Sequence, residues 1–339
     1  MVTQKTIAKK LGVSPSLVSR ALCGTAGNIG ASEKTVLRIR TEAKRLHYAP
    51  NAAALTLRGS KSMTIGVVIK NFDDPFFGSM TRELQRLSRE RGFSLLLTGF
   101  DSERNNIDTS TLLRYHLDAL IICGSDTCGP WIKPFLKKNL PIVQIGSGET
   151  YPGINRVEMD EECGVVLLLD YLRSLGHKDI GFIGENTNPH KRRKQIFSLM
   201  LKKLKLKAKP ALTISVTAGK NSGIKAMNIL LEKAGNNIPS AVIAADDSMA
   251  QSGRRAIHDF GLAVPGDISL TGIDDIPSAS LMIPSLTTIR APIGMMVRAA
   301  FELVIDKAAV GGKAAVLKLK PEIAIRESCS NVRAGASNG

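Results

Sequence analysis

Residues 6–22 read TIAKKLGVSPSLVSRAL, and this stretch decides how the amino-terminal part of the chain folds. Gly12 can take the left-handed backbone conformation that ends a first helix, and Ala8 is small enough for a second helix to cross closely. Ser14 is a good N-cap residue, and Pro15 suits the first position of a second helix. The stretch therefore predicts two short helices joined by a tight turn, a helix-turn-helix.

The second of these helices is predicted to have an apolar face and a polar face. Helical spacing places four side chains on the apolar face, which packs inward: Leu17, Val18, Ala21 and Leu22. Ser16 and Arg20, four residues apart, emerge together on the polar face. In a major groove, arginine can bind a guanine edge with two hydrogen bonds and discriminate by about 1–3 kcal/mol, whereas serine is more permissive. Ser19 is expected to contact phosphate, and the motif alone leaves open a small helical hairpin with an idle polar face.

Positive charge is concentrated in the same part of the chain. The 339 residues include 46 Lys and Arg against 30 Asp and Glu, a formal net charge of +16. Residues 1–61 hold eleven of the bases and two of the acids, and residues 191–209 hold nine more bases and no acid. The remainder is nearly neutral. A cationic head of this kind indicates a polyanionic partner, although a merely solvated basic surface would have the same composition.

Composition also excludes several classes of protein. With 43% hydrophobic residues, the chain is long enough for two or three domains with ordinary cores. No apolar run approaches the length of a membrane span, and residues 3–5 are polar where a signal peptide needs an apolar core. The five cysteines form no CxxC pair, which argues against a disulfide framework and a zinc site. We expect a cytoplasmic protein with no membrane contact, no metal and no other cofactor.

The sequence lacks the motifs that mark common α/β enzymes. It contains no GxSxG, no HExxH and no Walker loop, and its five histidines are too scattered to form a set of ligands. The short stretch 146–148 is not a dinucleotide-binding fingerprint. We therefore expect that the chain is not an enzyme.

After residue 61 the sequence pattern changes. Short apolar runs alternate with amphipathic stretches such as 80–91, 162–175 and 249–260, which is typical of parallel sheets covered on both faces by helices. The apolar runs predict seven strands: 64–69, 93–97, 119–122, 142–145, 180–183, 241–244 and 269–272. This number suits two open α/β subdomains, whose ligand would lie between them at the carboxyl ends of the strands.

Between these two parts, residues 48–59 read YAPNAAALTLRG. Pro50 can open a helix and Gly59 can close it. The eight residues between them are too few to hold a helix in water, so we expect the segment to order only against a partner copy and DNA. Leu57 would then be suited to wedge between base pairs from the minor groove, and a plain linker is the alternative.

An ordered series of motifs runs through the whole chain. It comprises IAK at 7–9, GVS at 12–14, LVSR at 17–20, YAPN at 48–51, Leu57, DPFF at 74–77, LGH at 175–177, DSMA at 247–250, VPGDI at 264–268, GIDD at 272–275 and PSLTT at 284–288. In this order and spacing, from about residue 3 to residue 327, the chain resembles the LacI/GalR family of transcriptional regulators.

The resemblance implies an architecture. An all-α helix-turn-helix headpiece would occupy residues 1–47, a hinge helix 48–60, an α/β core of two periplasmic-binding-protein-like subdomains 61–330, and a flexible tail 331–339. The N-subdomain would comprise about 61–160 and 290–319, and the C-subdomain about 161–289 and 320–330. The resemblance also implies a repressor that acts as a homodimer or a dimer of dimers on near-palindromic double-stranded operator DNA, because two-fold protein symmetry mirrors operator symmetry.

The resemblance further implies site residues. The DNA-binding positions are Pro15, Ser16, Ser19, Arg20, Ala54, Leu57 and Arg58. The effector-binding positions are Phe72, Phe76, Ser125, Arg193, Asp246 and Asp274. Arginine and aspartate can bind vicinal hydroxyls while an aromatic ring stacks on a sugar face, so a sugar or related polar metabolite is the expected effector. The basic run at 191–194 also leaves open a phosphorylated or carboxylated ligand, although a solvated helix face explains it as well.

The sequence departs from the family pattern at several positions. Ile196 stands where the family usually has glycine, and Ile273 replaces the usual aromatic residue, so the effector pocket is poor in rings. A short insertion at 24–31 and Leu55 at a position that is often basic suggest an unusual operator preference. A solute-binding protein for transport would have the same core and is the alternative function, but it would leave the cationic head unexplained.

Overall fold

The computed structural model describes residues 2–22, 31–48, 61–101, 104, 106–148, 151–204, 206, 209–305 and 314–332. The chain divides into two units, Met1–Ser62 and Met63–Gly339, and each is considered by itself.

Three helices build the first unit: α1 (Gln4–Leu11), α2 (Pro15–Leu22) and α3 (Glu33–Arg45). Thr3 and Thr6 form a capping box at the start of α1, and Gly12 ends that helix in the left-handed conformation with a φ of 65°. Ser14 begins α2, because its hydroxyl accepts a hydrogen bond from the Leu17 amide at 3.2 Å. The predicted helix-turn-helix is confirmed.

A small core fixes α2 on the two other helices. It is formed by short and β-branched side chains: Ile7, Ala8, Val18, Ala21, Val36, Ile39 and Ala43. At its edge, Glu42 of α3 pairs with Lys10 of α1 at 3.0 Å and with Arg45 at 2.9 Å. Arg40 Nε of α3 donates to the Ala21 carbonyl at 3.2 Å and so satisfies one of the unpaired carbonyls at the end of α2. These contacts fix the orientation of α2 on the two other helices and so determine which of its side chains face solvent.

Two six-stranded sheets form the framework of the second unit. The first has the strand order β11-β5-β4-β3-β1-β2, and the second has the order β12-β10-β9-β8-β6-β7. The strands are β1 (Thr64–Ile69), β2 (Ser94–Gly99), β3 (Ala119–Cys123), β4 (Ile142–Ile145), β5 (Asn155–Met159), β6 (Ile180–Glu185), β7 (Thr213–Val216), β8 (Ala241–Ala244), β9 (Ser269–Asp274), β10 (Thr287–Arg290), β11 (Val316–Leu319) and β12 (Glu322–Ala324). All paired strands run parallel except β10 and β12. We call the part built on the first sheet the N-lobe and the part built on the second sheet the C-lobe.

Helices cover both faces of each sheet. They are α4 (Pro75–Glu90), α5 (Thr109–Arg114), α6 (Lys133–Lys137), α7 (Glu161–Ser174), α8 (Asn188–Lys203), α9 (Ser222–Ala234), α10 (Asp247–Asp259) and α11 (Ile293–Ile305), with short 3₁₀ turns at Pro130–Ile132, Pro210–Leu212 and Pro277–Ser280. In the N-lobe, Ile65 and Val67 of β1 pack with α4 and α11, whereas Val68 packs with α5 and α6 on the opposite face. The predicted fold, an all-α headpiece and an α/β core of two subdomains, is confirmed.

Within the described residues, the chain passes between the lobes three times. It crosses from β5 into α7 through the single residue Asp160, from β10 into α11 through residues 291–292, and from β11 into β12 through residues 320–321. Three short connections restrict the relative motion of the lobes to a hinge, in which a few residues at element ends absorb the change of backbone angle.

The seven apolar runs all form strands, with ends that differ from the prediction by no more than two residues. The prediction missed five strands: β5, β7, β10, β11 and β12. Strands β7, β11 and β12 are sheet edges, where one side of the strand is open and polar residues are tolerated. Strands β5 and β10 lie inside their sheets but contain polar residues, so they do not read as apolar runs.

Replacing Gly223 with alanine tests the close approach of α9 to α10. An added Cβ would lie only 2.5 Å from the Met249 carbonyl oxygen and would also overlap Ser252 Oγ. We expect Gly223→Ala to destabilise the core by about 1–3 kcal/mol in urea unfolding, because such overpacking forces neighbouring atoms to shift. The matched control is Gly78→Ala in α4, where the new methyl meets nothing within 4 Å and stability should rise by up to about 1 kcal/mol. A Gly223→Ala variant as stable as the wild type would contradict this packing.

Candidate functional site

The polar face of α2 presents three of the predicted DNA-binding residues to solvent. Pro15, Ser16 and Arg20 are all exposed. Arg20 Nε donates to the Ser16 carbonyl at 3.4 Å, so the two residues lie on one side of the helix as expected. Neither terminal nitrogen of Arg20 has a hydrogen-bond partner in the part of the chain that the structure describes. Its planar fork is therefore available for the paired acceptors of a guanine edge.

The position of Ser19 contradicts the expectation that this residue contacts phosphate. Only 7% of this residue is exposed, so it belongs to the buried side of α2 and not to a face that meets phosphate. The expectation was wrong because it assigned only the four apolar residues to the buried face of α2. Ser19 is small enough to be enclosed on that face as well. The predicted hinge contacts, Ala54, Leu57 and Arg58, lie outside the described residues, as do Leu55 and residues 24–30 of the proposed insertion.

A cavity of about 220 Å³ lies between the two lobes of the second unit, where loops and helices follow the carboxyl ends of the strands. Five of the six predicted effector-binding residues line it: Phe76, Ser125, Arg193, Asp246 and Asp274. The sixth, Phe72, does not: it is 57% exposed, and its ring lies over Gly99. The expectation that Phe72 lies at the ligand cavity is corrected; Phe76 is the predicted aromatic residue that lines it, and Phe77 lines it as well.

Arg193 of α8 is buried beside this cavity and is held by three acceptor groups. Its Nε and Nη2 lie 2.6 and 3.2 Å from the two carboxylate oxygens of Glu161, a bidentate pair. Its Nη1 donates to the Ala245 carbonyl at 2.6 Å, and Nη2 also donates to Asp274 Oδ1 at 3.3 Å. Four of the five guanidinium donors are thereby used.

Ser125 and Ser147 continue this network from the N-lobe. Ser147 Oγ donates to Glu161 Oε1 at 3.5 Å, and the Ser125 and Ser147 hydroxyls lie 3.3 Å apart. Glu161 is the first residue of α7, so it belongs to the C-lobe. The cavity is therefore bounded by polar side chains that already contact one another across the two lobes.

His190, three residues before Arg193 on α8, is joined to Asp246. The Glu185 amide donates to His190 Nδ1 at 3.0 Å, which leaves the imidazole hydrogen on Nε2, and Nε2 lies 3.0 Å from Asp246 Oδ2. Asp246 also caps α10 by accepting from the Met249 amide at 2.7 Å. Burial alone would raise the pKa of Asp246, but the hydrogen bonds from His190 and Met249 outweigh it and hold that pKa below its usual value.

Two other carboxyls at the cavity are harder to ionise. Burial raises the pKa of Asp74, and the nearby Asp246 raises it further. Burial likewise raises the pKa of Asp274 well above its usual value, against the opposing effect of Arg193, and the carboxylates of Asp246, Asp247 and Asp74 add to the rise. Asp274 also has a φ of 116°, a conformation that costs a non-glycine residue energy and that clusters at functional sites.

Lys70 is the second cation at the cavity. Its Nζ donates to the Ser125 carbonyl at 3.0 Å, and burial lowers its pKa.

Sequence reasoning missed Glu161 and His190. Glu161 looked like an ordinary acid in the first turn of a helix, and its contact with Arg193 joins residues that are far apart in the sequence. His190 is one of five histidines that are scattered through the sequence. Its position three residues before Arg193 could have indicated it, because side chains at this spacing share a helix face.

Asp247 lies behind the cavity and supports it. It is 1% exposed, and its carboxylate accepts hydrogen bonds from the Ile276 amide at 2.9 Å and from the Thr288 hydroxyl. It thereby ties α10 to the chain after β9 and to β10. Burial raises the pKa of Asp247 to about 7.

Among the described residues, no group of three or more His, Cys, Asp or Glu side chains could hold a metal ion. None of the helices that are described has the length and apolar character needed to cross a membrane.

Known proteins share the sequence pattern and the fold of this chain. The model of the periplasmic binding protein-like domain family matches residues 169–329. The ribose operon repressor of Escherichia coli (strain K12) is 29% identical over 313 residues, covering 91% of this chain and 93% of that protein. The HTH-type transcriptional regulator GalR of Escherichia coli (strain K12) is 31% identical over 309 residues, covering 89% of this chain and 88% of that protein. A crystal structure of the lac repressor dimer bound to operator and an anti-inducer has the same fold, with a TM-score of 0.78 and 24% identity, covering 97% of this chain and 99% of that chain.

The raised pKa of Asp247 predicts a specific dependence of stability on pH. An unfolded aspartate has a pKa near 3.9, so between about pH 4 and pH 7 the folded protein holds a proton that the unfolded chain releases. The contribution of Asp247 to wild-type stability should therefore fall as pH rises through this window, by roughly 1.4 kcal/mol per pH unit at most. Asp247→Asn cannot ionise, and its amide can still accept from Ile276 and donate to Thr288. We expect it to be more stable than the wild type at pH 8, with the gain shrinking toward pH 4.

Thermal unfolding at pH 5 and pH 8 measures this difference. The control is Asp73→Asn, at an exposed carboxyl, which should follow the wild type at both values. If the Asp247→Asn and wild-type proteins respond equally to pH, then ionisation of Asp247 does not limit stability.

Proposed function

The chain belongs to the LacI/GalR family of transcriptional regulators, and we propose that it is a repressor whose affinity for operator DNA is set by a small polar metabolite. One observation carries this proposal. The same chain has an exposed Arg20, whose terminal nitrogens have no partner among the described residues, on a basic helix-turn-helix, and a cavity with several charged side chains in its second unit. The first suits base readout, and the second suits a ligand that controls it.

In this proposal, Arg20 and Ser16 read base edges in a major groove while the rest of the headpiece supplies charge. The excess of nine positive charges in residues 1–61 favours the phosphate backbone of any duplex and makes binding depend on salt. Pro15 offers no side-chain hydrogen bond, so it reads by shape or apolar contact. In the hinge, Leu57 would open a minor-groove step, with Ala54 and Arg58 beside it.

We further propose that the protein acts as a homodimer on a near-palindromic operator. Two large apolar side chains of the C-lobe, Leu281 and Ile283, are 79% and 87% exposed, and Phe260 at the end of α10 is 49% exposed. Exposed apolar side chains of this size favour an interface. An isologous contact between two copies would present two copies of α2 to two operator half-sites.

The cavity is proposed to bind the effector. Ser125, Asp246 and Asp274 provide polar groups that can bind hydroxyls, the remaining Arg193 donor can bind an oxygen, and Phe76 provides the one predicted ring that lines it. Its volume lies below the roughly 300–1,000 Å³ of pockets for drug-sized molecules, so a small metabolite suits it. The ribose operon repressor is named for a sugar operon, which supports a sugar or a related compound.

Control of DNA binding would follow from differential affinity. A ligand that binds one arrangement of the lobes about 100-fold better than another shifts their equilibrium by roughly 2.7 kcal/mol. Such a shift is large enough to form or melt short hinge helices that are marginal alone.

Two other functions are less well supported. A solute-binding protein would have the same two lobes, but it would have no use for an exposed arginine on a basic helix-turn-helix. The relatives reported above are transcriptional regulators, which favours a regulator over an enzyme. We therefore infer a regulator that is not an enzyme and that acts in the cytoplasm, where its operator lies.

Arg20→Ala tests base readout. Duplexes are selected from a random library with the wild type, and dissociation constants are then measured for the best duplex and for a scrambled one. We expect Arg20→Ala to reduce the difference between the two duplexes by about 1–3 kcal/mol. The matched control is Arg38→Ala, which removes the same charge from an exposed position of α3 and should weaken both duplexes alike. Equal weakening of both duplexes by Arg20→Ala would contradict base readout.

Leu281→Asp tests the proposed dimer. A carboxylate in the centre of an apolar interface is costly to bury, so we expect light scattering to show a dimeric wild type and a variant shifted to monomer at the same concentration. Leu199→Asp on α8, where the native side chain is 51% exposed, is the control and should remain dimeric. A monomeric wild type, or a Leu281→Asp variant that stays dimeric, would exclude this interface.

A further inference from the structure

We propose that the effector carries a protonated amine beside its hydroxyls, as an amino sugar does. This inference rests on the proposed function of the cavity as the effector site, and it narrows the ligand class. It also opposes the phosphorylated or carboxylated ligand that the basic run at 191–194 leaves open.

The charges that line the cavity are mostly negative. Five carboxyl groups line it: Asp74, Glu161, Glu185, Asp246 and Asp274. The cations that line it are Lys70 and Arg193, so the carboxyls are in excess by three. The His190 ring lies between the Glu185 amide, which donates to Nδ1, and Asp246, whose Oδ2 is 3.0 Å from Nε2. Negative charges still outnumber positive charges at the cavity if Asp274 is protonated.

The two cations are already engaged by groups of the protein. Four of the five Arg193 donors are used, two of them by Glu161, and Lys70 donates to the Ser125 carbonyl. A phosphate or carboxylate could make a bidentate contact with Arg193 only by displacing Glu161, which would leave a second anion unpaired in a buried place. The cavity is therefore a poor site for an anion. The basic side chains at 191, 192 and 194 do not line it.

Acceptor oxygens, in contrast, remain available. One oxygen of Asp74 caps α4 through the Phe76 amide at 2.9 Å, and its other oxygen accepts no hydrogen bond from the described residues. Asp274 likewise has one oxygen available: its Oδ1 accepts from Arg193 Nη2, and its Oδ2 has no donor among the residues described. An ammonium group has three donors and no acceptor, so it matches such oxygens, and hydrogen bonds between charged groups are the stronger kind.

These two carboxyls belong to opposite lobes. Asp74 precedes α4 of the N-lobe, and Asp274 ends β9 of the C-lobe. Asp74 is among the charges that disfavour ionisation of Asp274, and Asp246 of the C-lobe disfavours ionisation of Asp74, so carboxyls of the two lobes repel each other across the cavity. A cation between the two carboxylates attracts both of them and so offsets their mutual repulsion. A neutral ligand of the same shape does not remove that repulsion. The positive charge would thereby bias the arrangement of the lobes.

The experiment compares sugars that differ in one substituent. Binding to the full chain is measured by calorimetry for glucosamine, glucose, N-acetylglucosamine and glucosamine 6-phosphate, and for the galactose and mannose counterparts. We expect, in at least one series, that the free amine binds on the order of tenfold or more tightly than both neutral members, and that the phosphate binds more weakly than the amine. Stronger binding of a neutral or phosphorylated member, or no binding of any amine, would overturn the proposal.

A pair of variants locates the charge preference. Asp74→Asn keeps an oxygen that can cap α4 but loses the negative charge, so the preference for the amine over the N-acetyl sugar should fall toward one. The matched control is Asp73→Asn, one residue away and exposed, which should keep the wild-type preference. An unchanged preference in Asp74→Asn would remove this carboxyl from the proposal and overturn it.

Gel shifts on the selected operator separate this inference from the proposed function. If a neutral sugar alone changes operator affinity, the protein is a sugar-controlled regulator and the amine inference fails. If no duplex is bound specifically while the amine still binds in calorimetry, the proposed function fails and the amine site stands.

Discussion

A buried guanidinium organises the cavity. Arg193 is 7% exposed, and a charge so far from water must be paired and fully hydrogen-bonded, because leaving it unpaired would cost several kcal/mol. Glu161, the Ala245 carbonyl and Asp274 supply that pairing, and they lie at the start of α7, directly after β8 and at the end of β9. The need to satisfy one side chain thus fixes how three elements of the C-lobe meet at the edge that faces the N-lobe. Among the described residues, the cavity oxygens that accept no hydrogen bond include Oδ2 of Asp74 and Oδ2 of Asp274.

Local chemistry made much of the fold predictable. Gly12, Ser14 and Pro15 each have one strong backbone preference, and together they place the turn between α1 and α2. The buried strands read as apolar runs because both faces of a parallel sheet are covered. Edge strands such as β7 and β11 need no such runs, so they were not recognised. Strands β5 and β10 lie inside their sheets and still were not predicted, because polar residues interrupt their apolar pattern.

The candidate site was predictable only in part. Residues at the carboxyl ends of strands, such as Ser125 and Asp274, could be placed because topology brings those ends to one edge. Glu161 could not, because its importance depends on an ion pair with a residue 32 positions away. Phe72 and Ser19 were misplaced for a related reason: which way a side chain points in a loop, or how wide a buried stripe is, depends on neighbours distant in sequence.

The single-residue crossing at Asp160 has a mechanical consequence. Met159 ends a strand of the N-lobe, and Glu161, which binds Arg193, begins a helix of the C-lobe, so this ion pair lies one residue from a crossing between the lobes. A rotation at such a crossing moves nearby atoms little and the far ends of the lobes much more. A change of backbone angle at Asp160 would therefore displace the outer rims of the lobes further than the Glu161–Arg193 pair.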